Sequence, residues 1–346
     1  MDKQRRNFLR FCAMVTATAA PAATPARANR VRVLGDVGEE GRLIAVGQPS
    51  PSFQQFMKWA RLGQSQRHGA LTVFWLHGTP APPAIEVMTL EEGRTQGTII
   101  VTERAQASVP DLIVENRGKT HALLLAGEIL VGGKQNRVLK EDVLLPPVSG
   151  PRNLGVYCVE QGRWNTGRAD FDSKSTLAAP SLRSRLMQSP DQAQVWAEVQ
   201  KSARAARAGS PTANYQEIYE NPEVKEHLKD VDRNVSVTSP PGALGAAVFV
   251  GSTLSGLDLF QPGTLFGREW PKLLRAYALE AYRQGSQPVE ESKLAQIVKD
   301  LLDAATRATG TLRGNAGVGL IFEFTANGRP GAALLFENRV IHTTVL

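Results

Sequence analysis

The 346 residues are 42% hydrophobic and 21% charged, the make-up of an ordinary globular chain long enough to bury a sizeable core without staples. The formal charge is +7, but residues 1–28 hold Lys3, Arg5, Arg6, Arg10 and Arg27 against Asp2, a net +4, so the remainder carries 7 − 4 = +3. So mild a balance, with no Lys/Arg stripe interleaved with aromatics, argues against nucleic-acid binding, and beyond the N-terminus no apolar run is long enough to span a bilayer.

The first 28 residues read as a twin-arginine export signal. Gln4-Arg5-Arg6-Asn7-Phe8-Leu9-Arg10 pairs two arginines ahead of a mildly apolar stretch from Phe11 to Ala20, and Ala26-Arg27-Ala28 supplies small residues for cleavage before Asn29. The expected partner during export is the twin-arginine translocase. The expected destination is the periplasm or the medium, with no membrane anchor after cleavage. Cleavage removes Cys12 and leaves Cys158 alone, so no internal disulfide is available, which suits a protein folded before it reaches an oxidising compartment.

Residues 29–69 read as an N-terminal extension and a Pro/Ser/Gln linker, with Phe53, Phe56, Met57 and Trp59 spaced for a turn and a half of helix. Residues 70–346 read as a single α+β domain. Strands are predicted at Leu71–Leu76, Thr98–Thr102, Leu112–Val114, His121–Leu130, Val138–Leu145 and Leu154–Val159, separated by Gly, Pro and Asn. A central helical segment follows. Ser189 is the expected N-cap, with Pro190 at the first position and Gln192 reaching back; a second helix, from about Asn214 to Val231, restarts at Asn221-Pro222. Leu244–Val250 and Thr253–Leu259 form a predicted hairpin around Gly251-Ser252. Two long amphipathic helices carry Trp270, Leu273, Leu274 and Tyr277, then Leu294, Ile297, Val298, Leu301 and Leu302, the second ending at Gly310. The chain closes in a β-meander. Strands, then helices, then strands predict largely antiparallel sheets.

The familiar catalytic signatures Gly-x-Ser-x-Gly, Ser-x-x-Lys, His-Glu-x-x-His and Cys-x-x-Cys are missing, and the five histidines are too scattered to suggest a metal site. The informative stretch is Gly127–Arg137. Glu128 sits in the apolar run Ala122–Val131, where a carboxylate must be paired, hydrogen-bonded or protonated. Two glycines then admit a tight turn, followed by the polar heads of Lys134, Gln135, Asn136 and Arg137. These heads suit an anion, with Glu128 as general base; the alternative is a Glu128–Arg137 ion pair bracing a hairpin. In the second stretch, Cys158 reads as a small core residue. Glu160 is a second candidate base, and Arg163 and Trp164 offer a guanidinium fork and a stacking face. Glu103, Glu115, Glu128 and Glu160 all end strands, and at most two of them should converge. No cofactor is predicted, though such a pair would suit a divalent cation.

These residues carry a resemblance. Gly127–Leu139, Val156–Trp164, Ser210-Pro211-Thr212, Gly256–Phe260, Trp270–Leu274 and Tyr277-Ala278-Leu279 resemble the ARG and rhodanese-phosphatase-superfamily-associated protein domain family, in which ARG stands for ADP-ribosylglycohydrolase, over roughly residues 70–345. The resemblance implies one domain across that span and a role near nucleotide or ADP-ribose metabolism, by association with neighbours rather than by mechanism. The export signal and residues 49–68 fall outside it. The expectation is therefore an exported protein that binds or hydrolyses an anionic small molecule, such as a nucleotide or ADP-ribose derivative. The alternatives are a non-enzymatic periplasmic protein-binding or scaffold module and a divalent-cation-dependent hydrolase.

Overall fold

A computed structural model describes residues 43–78, 85–104, 110–163, 169–286 and 288–346. The export signal and Trp164 lie outside the described residues. The first elements are β1 (Leu43–Pro49), α1 (Pro51–Trp59), β2 (Arg61–His68) and β3 (Leu71–His77). Short pieces follow: β4 (Val87–Thr89), α2 (Leu90–Thr95), β5 (Ile99–Thr102), β6 (Asp111–Asn116), β7 (His121–Leu124), β8 (Glu128–Gly132), β9 (Arg137–Leu139), β10 (Val143–Leu145), β11 (Arg152–Cys158) and β12 (Phe171–Leu177). The central helices are α3 (Pro180–Met187), α4 (Gln192–Ala205), α5 (Gln216–Glu220) and α6 (Pro222–Asn234). The chain ends in the hairpin β13 (Ala243–Val250) and β14 (Thr253–Phe260), the helices α7 (Gly263–Ala281) and α8 (Glu291–Thr306), and the strands β15 (Thr309–Gly314), β16 (Leu320–Ala326), β17 (Arg329–Phe336) and β18 (Arg339–Val345). The fold is α+β, as expected.

Nine strands form one antiparallel sheet in the order β1-β15-β16-β17-β18-β14-β13-β3-β2. It is covered on both faces, and the side-chain alternation of its central strands shows this directly. Val73 and Trp75 of β3 pack with Trp270 of α7 on one face, whereas Phe74 and Leu76 pack with Phe53 of α1 and Val298 of α8 on the other. A strand buried on both sides favours apolar residues on both faces, which is why Leu71–Leu76 is apolar at every position but Thr72. A six-stranded sheet, β12-β8-β9-β11-β6-β5, and a three-stranded one, β10-β7-β4, enclose a third core around Val101, Leu124, Leu139 and Leu145.

Several expectations change. Residues 43–69 are woven into the domain: β1 pairs with β15 and β2 with β3, and α1 buries Phe53, Phe56 and Met57. The Pro/Ser/Gln character there reflects an edge strand and a helix start, where Pro51 opens α1. The run His121–Leu130 is broken by a turn at Ala126-Gly127, and Val138–Leu145 is broken between Leu139 and Val143. Apolar runs identify burial but not where a strand bends. The N-cap of α4 is Asp191 instead of Ser189. Its carboxylate accepts from the Gln194 backbone N–H, and the Gln194 side chain answers the Asp191 N–H. Ser189 has φ +48° and lies before the helix. Gly310 does not end α8. It sits in β15, where an added Cβ would lie 2.0 Å from the Glu323 carbonyl oxygen, so glycine answers a close strand approach.

Candidate functional site

The motif stretches from β8 to β9 and after β11 meet in one knot. Asn136 sits at its centre. Its Nδ2 donates to Asn214 Oδ1 at 3.0 Å, its Oδ1 accepts from the Gly132 N–H and from Arg163, and its backbone N–H donates to Glu160 Oε2 at 3.0 Å. Gln135 donates to the Glu160 carbonyl at 2.8 Å, and Thr212 donates to Glu160 Oε1 at 3.1 Å. Arg163 reaches Glu160 at 2.7 Å and the carbonyls of Gly132 and Gly133. The glycine pair has its reason in the protein's own backbone. A Cβ on Gly132 would lie 2.4 Å from the Asp170 carbonyl oxygen, and one on Gly133 would strike the Phe171 ring at 2.2 Å.

Gln135, Asn136 and Arg137 are buried, and their heads point at internal partners. Arg137 is fully enclosed; it donates to the Gln135 carbonyl at 2.8 Å and lies 3.9 Å from Glu103. Burial pulls its guanidinium down from the ordinary value. Lys134 is half-buried, and its backbone N–H donates to Glu103. Glu103 and Glu160 both bear on Arg137, whereas Glu115 pairs with Arg117. Burial pushes the Cys158 thiol up, as for an inert core cysteine.

Glu128 belongs to a different cluster. Its partner is Lys272 of α7, not Arg137, which lies opposite Leu130 of β8 and donates to the Gln135 carbonyl. Lys272 Nζ also lies 3.0 Å from Glu91 and 2.9 Å from Glu269. Burial, with Glu91 and Glu269 close by, pushes the Glu128 carboxyl well above its usual range despite Lys272. Burial also raises Glu269. At Glu91 burial acts upward but Lys272 prevails, holding that carboxyl below its usual range.

A second buried network adjoins the first. Asp258 of β14 takes a bidentate contact from Arg183 of α3 at 2.6 and 3.1 Å and a hydrogen bond from Tyr277 at 2.5 Å. His342 of β18 bridges Asp258 at 3.1 Å and Asp142 at 2.6 Å. Burial favours the neutral ring, but the two aspartates outweigh it and raise the His342 pKa to about 9. Burial likewise opposes ionisation of Asp258, yet Arg183 and His342 hold its carboxyl far below the usual range. The turn Leu125–Glu128 joins the two networks: the Leu125 N–H donates to Glu128 at 3.1 Å and the Ala126 N–H to Asp142 at 2.8 Å.

Asp142 is where this network meets solvent. Together with Ala126 and Thr344 it lines a cleft of about 1120 Å³, whose walls come from Tyr157, the ends of α3 and α8, and β15 to β17. Arg313 in the wall is neutralised by Glu141 and by Glu323 at 2.8 Å. Lys140 is different. Its ammonium lies 4.8 Å from the centre of the Tyr157 ring, and among the described residues it has no carboxylate partner.

The structure therefore gathers Gln135, Asn136, Arg137, Glu160 and Arg163 with Lys134 nearby, and places Glu128 elsewhere; Glu128 and Glu160 share no bonded partner among the described residues. Sequence reasoning missed Asp142, Arg183, Asp258, Glu269, Lys272 and His342. A signal was present at Asp258, inside the apolar Leu257–Phe260, and at Glu269 and Lys272, on the buried stripe of a helix beside Trp270 and Leu273. The reasoning applied to Glu128 applies to each of them.

No curated protein and no solved structure matches this chain. The family comparison does give a match. The profile of the ARG and rhodanese-phosphatase-superfamily-associated protein domain covers residues 60–346, taking in the knot, both buried networks and the cleft, and the chain belongs to that family.

Proposed function

We propose that this is an exported protein that binds an anionic small molecule, such as a nucleotide or ADP-ribose derivative, in the cleft beside Lys140, Tyr157 and Asp142. The observation that carries the reading is Lys140, a cation in a concave site with an aromatic face beneath it and no carboxylate partner among the described residues. Such an ammonium attracts an anionic group, and the cleft is large enough for a nucleotide-sized ligand. Arg307 adds a second cation at the rim, though Asp303 shares it. Asp142 offers an acceptor for ligand hydroxyls. Its charge is offset by the His342 imidazolium behind it, so it does not repel an anion as a lone aspartate would. The residues of the knot, most of whose heads bond internally, brace the walls in this reading.

The test is thermal unfolding of the full chain with ADP-ribose, mononucleotides and sugar phosphates. A ligand at a hundred times its dissociation constant stabilises by about 2.7 kcal/mol, which raises the midpoint by a few degrees. The expected result is a shift with at least one anion that Lys140→Ala removes while the unliganded midpoint stays put. No shift with any of them, or a shift indifferent to Lys140→Ala, rejects the cleft as the site.

A further inference from the structure

We propose that Glu91, Glu128 and Glu269 bind a divalent cation of the hard, oxygen-preferring class, alongside Lys272. Oxygens of the three carboxylates lie within 4.8 Å of one another, a spacing that one ion spans with ligand distances of about 2.0–2.6 Å. They come from three separate elements: the first turn of α2, the start of β8 and the middle of α7. Packing therefore fixes their separation.

Charge and hydrogen bonding both leave the cluster incomplete. With all three carboxylates ionised, as ligands to a cation would be, the cluster and its one ammonium carry −2, which a divalent ion cancels. Lys272 has three protons to give, and its contacts with Glu91, Glu128 and Glu269 Oε2 use its capacity. Glu269 is 1% exposed and its Oε1 has no hydrogen-bond partner among the described residues. A buried, unpartnered carboxylate oxygen is costly, and the Glu269 carboxylate is one of the three that converge here. Glu91, with a side chain 26% exposed, gives the site its access to solvent. Water completes the coordination of such ions when the protein supplies only three ligands. This inference stands apart from the cleft, which shares none of these three residues.

The experiment is titration of Mn²⁺ into the full chain after dialysis against a chelator, following the loss of the free-ion electron paramagnetic resonance signal. One bound ion per chain is expected. Glu269→Gln should weaken binding at least tenfold, and Glu128→Gln should do the same, with circular dichroism confirming that each variant is folded. Lys272→Met removes the competing cation and should tighten binding; should that variant fail to fold, the two glutamine variants still decide. Absence of binding at millimolar Mn²⁺, or binding that both glutamine variants leave unchanged, overturns the proposal.

Discussion

His342 shows how far a tertiary setting moves a single residue. An exposed histidine is mostly neutral above pH 7, but this one is fully buried between Asp142 and Asp258 with a pKa raised to about 9. Its folded pKa lies above its unfolded value of about 6.5, so its contribution to stability is complete below pH 6.5 and is lost as pH rises through 9. A shift of that size corresponds to about 3 kcal/mol. Urea unfolding of the full chain at a series of pH values should therefore show stability declining between pH 6.5 and 9, and His342→Asn should remove that slope. A wild-type curve flat across the interval would mean that the ring is neutral when folded. The sequence shows an ordinary histidine in a strand; the two aspartates that charge it arrive from 200 and 84 residues away.

At the level of elements, the sequence located most helices and strands within a few residues because periodicity records which side is buried. It failed where two local signals compete. Ser189-Pro190-Asp191 offers two candidate caps, and the backbone selects Asp191, whose carboxylate bonds the Gln194 N–H at 2.8 Å while Gln192 is free to pair with the backbone of Cys158. Replacing a bonded cap costs about 1 kcal/mol. Asp191→Ala should lose about that much in chemical denaturation, and Ser189→Ala should lose far less. Equal losses would contradict the capping geometry. Gly310 illustrates the same limit. A glycine shortly after a helix reads as a helix stop, yet the reason for this one is a neighbouring strand that no local pattern reveals.

For the whole molecule, the described residues from 43 onward share three cores, and α1 sits against α8 over one face of the nine-stranded sheet. Phe53 packs with its ring tilted 4.5 Å from Phe324 and 5.2 Å from Phe322, centre to centre, so residues before the family match at 60 are part of the same folding unit. That integration bears on export, because the twin-arginine route carries folded cargo. Among the described residues twenty-two polar or charged ones are buried across the sheets and helices, and under the proposed export their pairings would be made before the chain leaves the cytoplasm. Cell fractionation should find the protein outside the cytoplasm, and Arg5→Lys with Arg6→Lys should retain it inside. A cytoplasmic wild-type protein would end the export reading.

The sequence by itself determined the fold class, the principal helices and strands, and the family, because burial leaves a periodic mark and the motif stretches are contiguous. It also singled out Glu128 as a charge requiring a partner. Which partner was a tertiary decision. Lys272 lies 144 residues along the chain, and Asp258, Arg183 and Asp142 come together only when three separate elements pack. A charge in an apolar run announces that it must be compensated, but its compensation depends on distance in space, and distance in space is set by how sheets and helices stack.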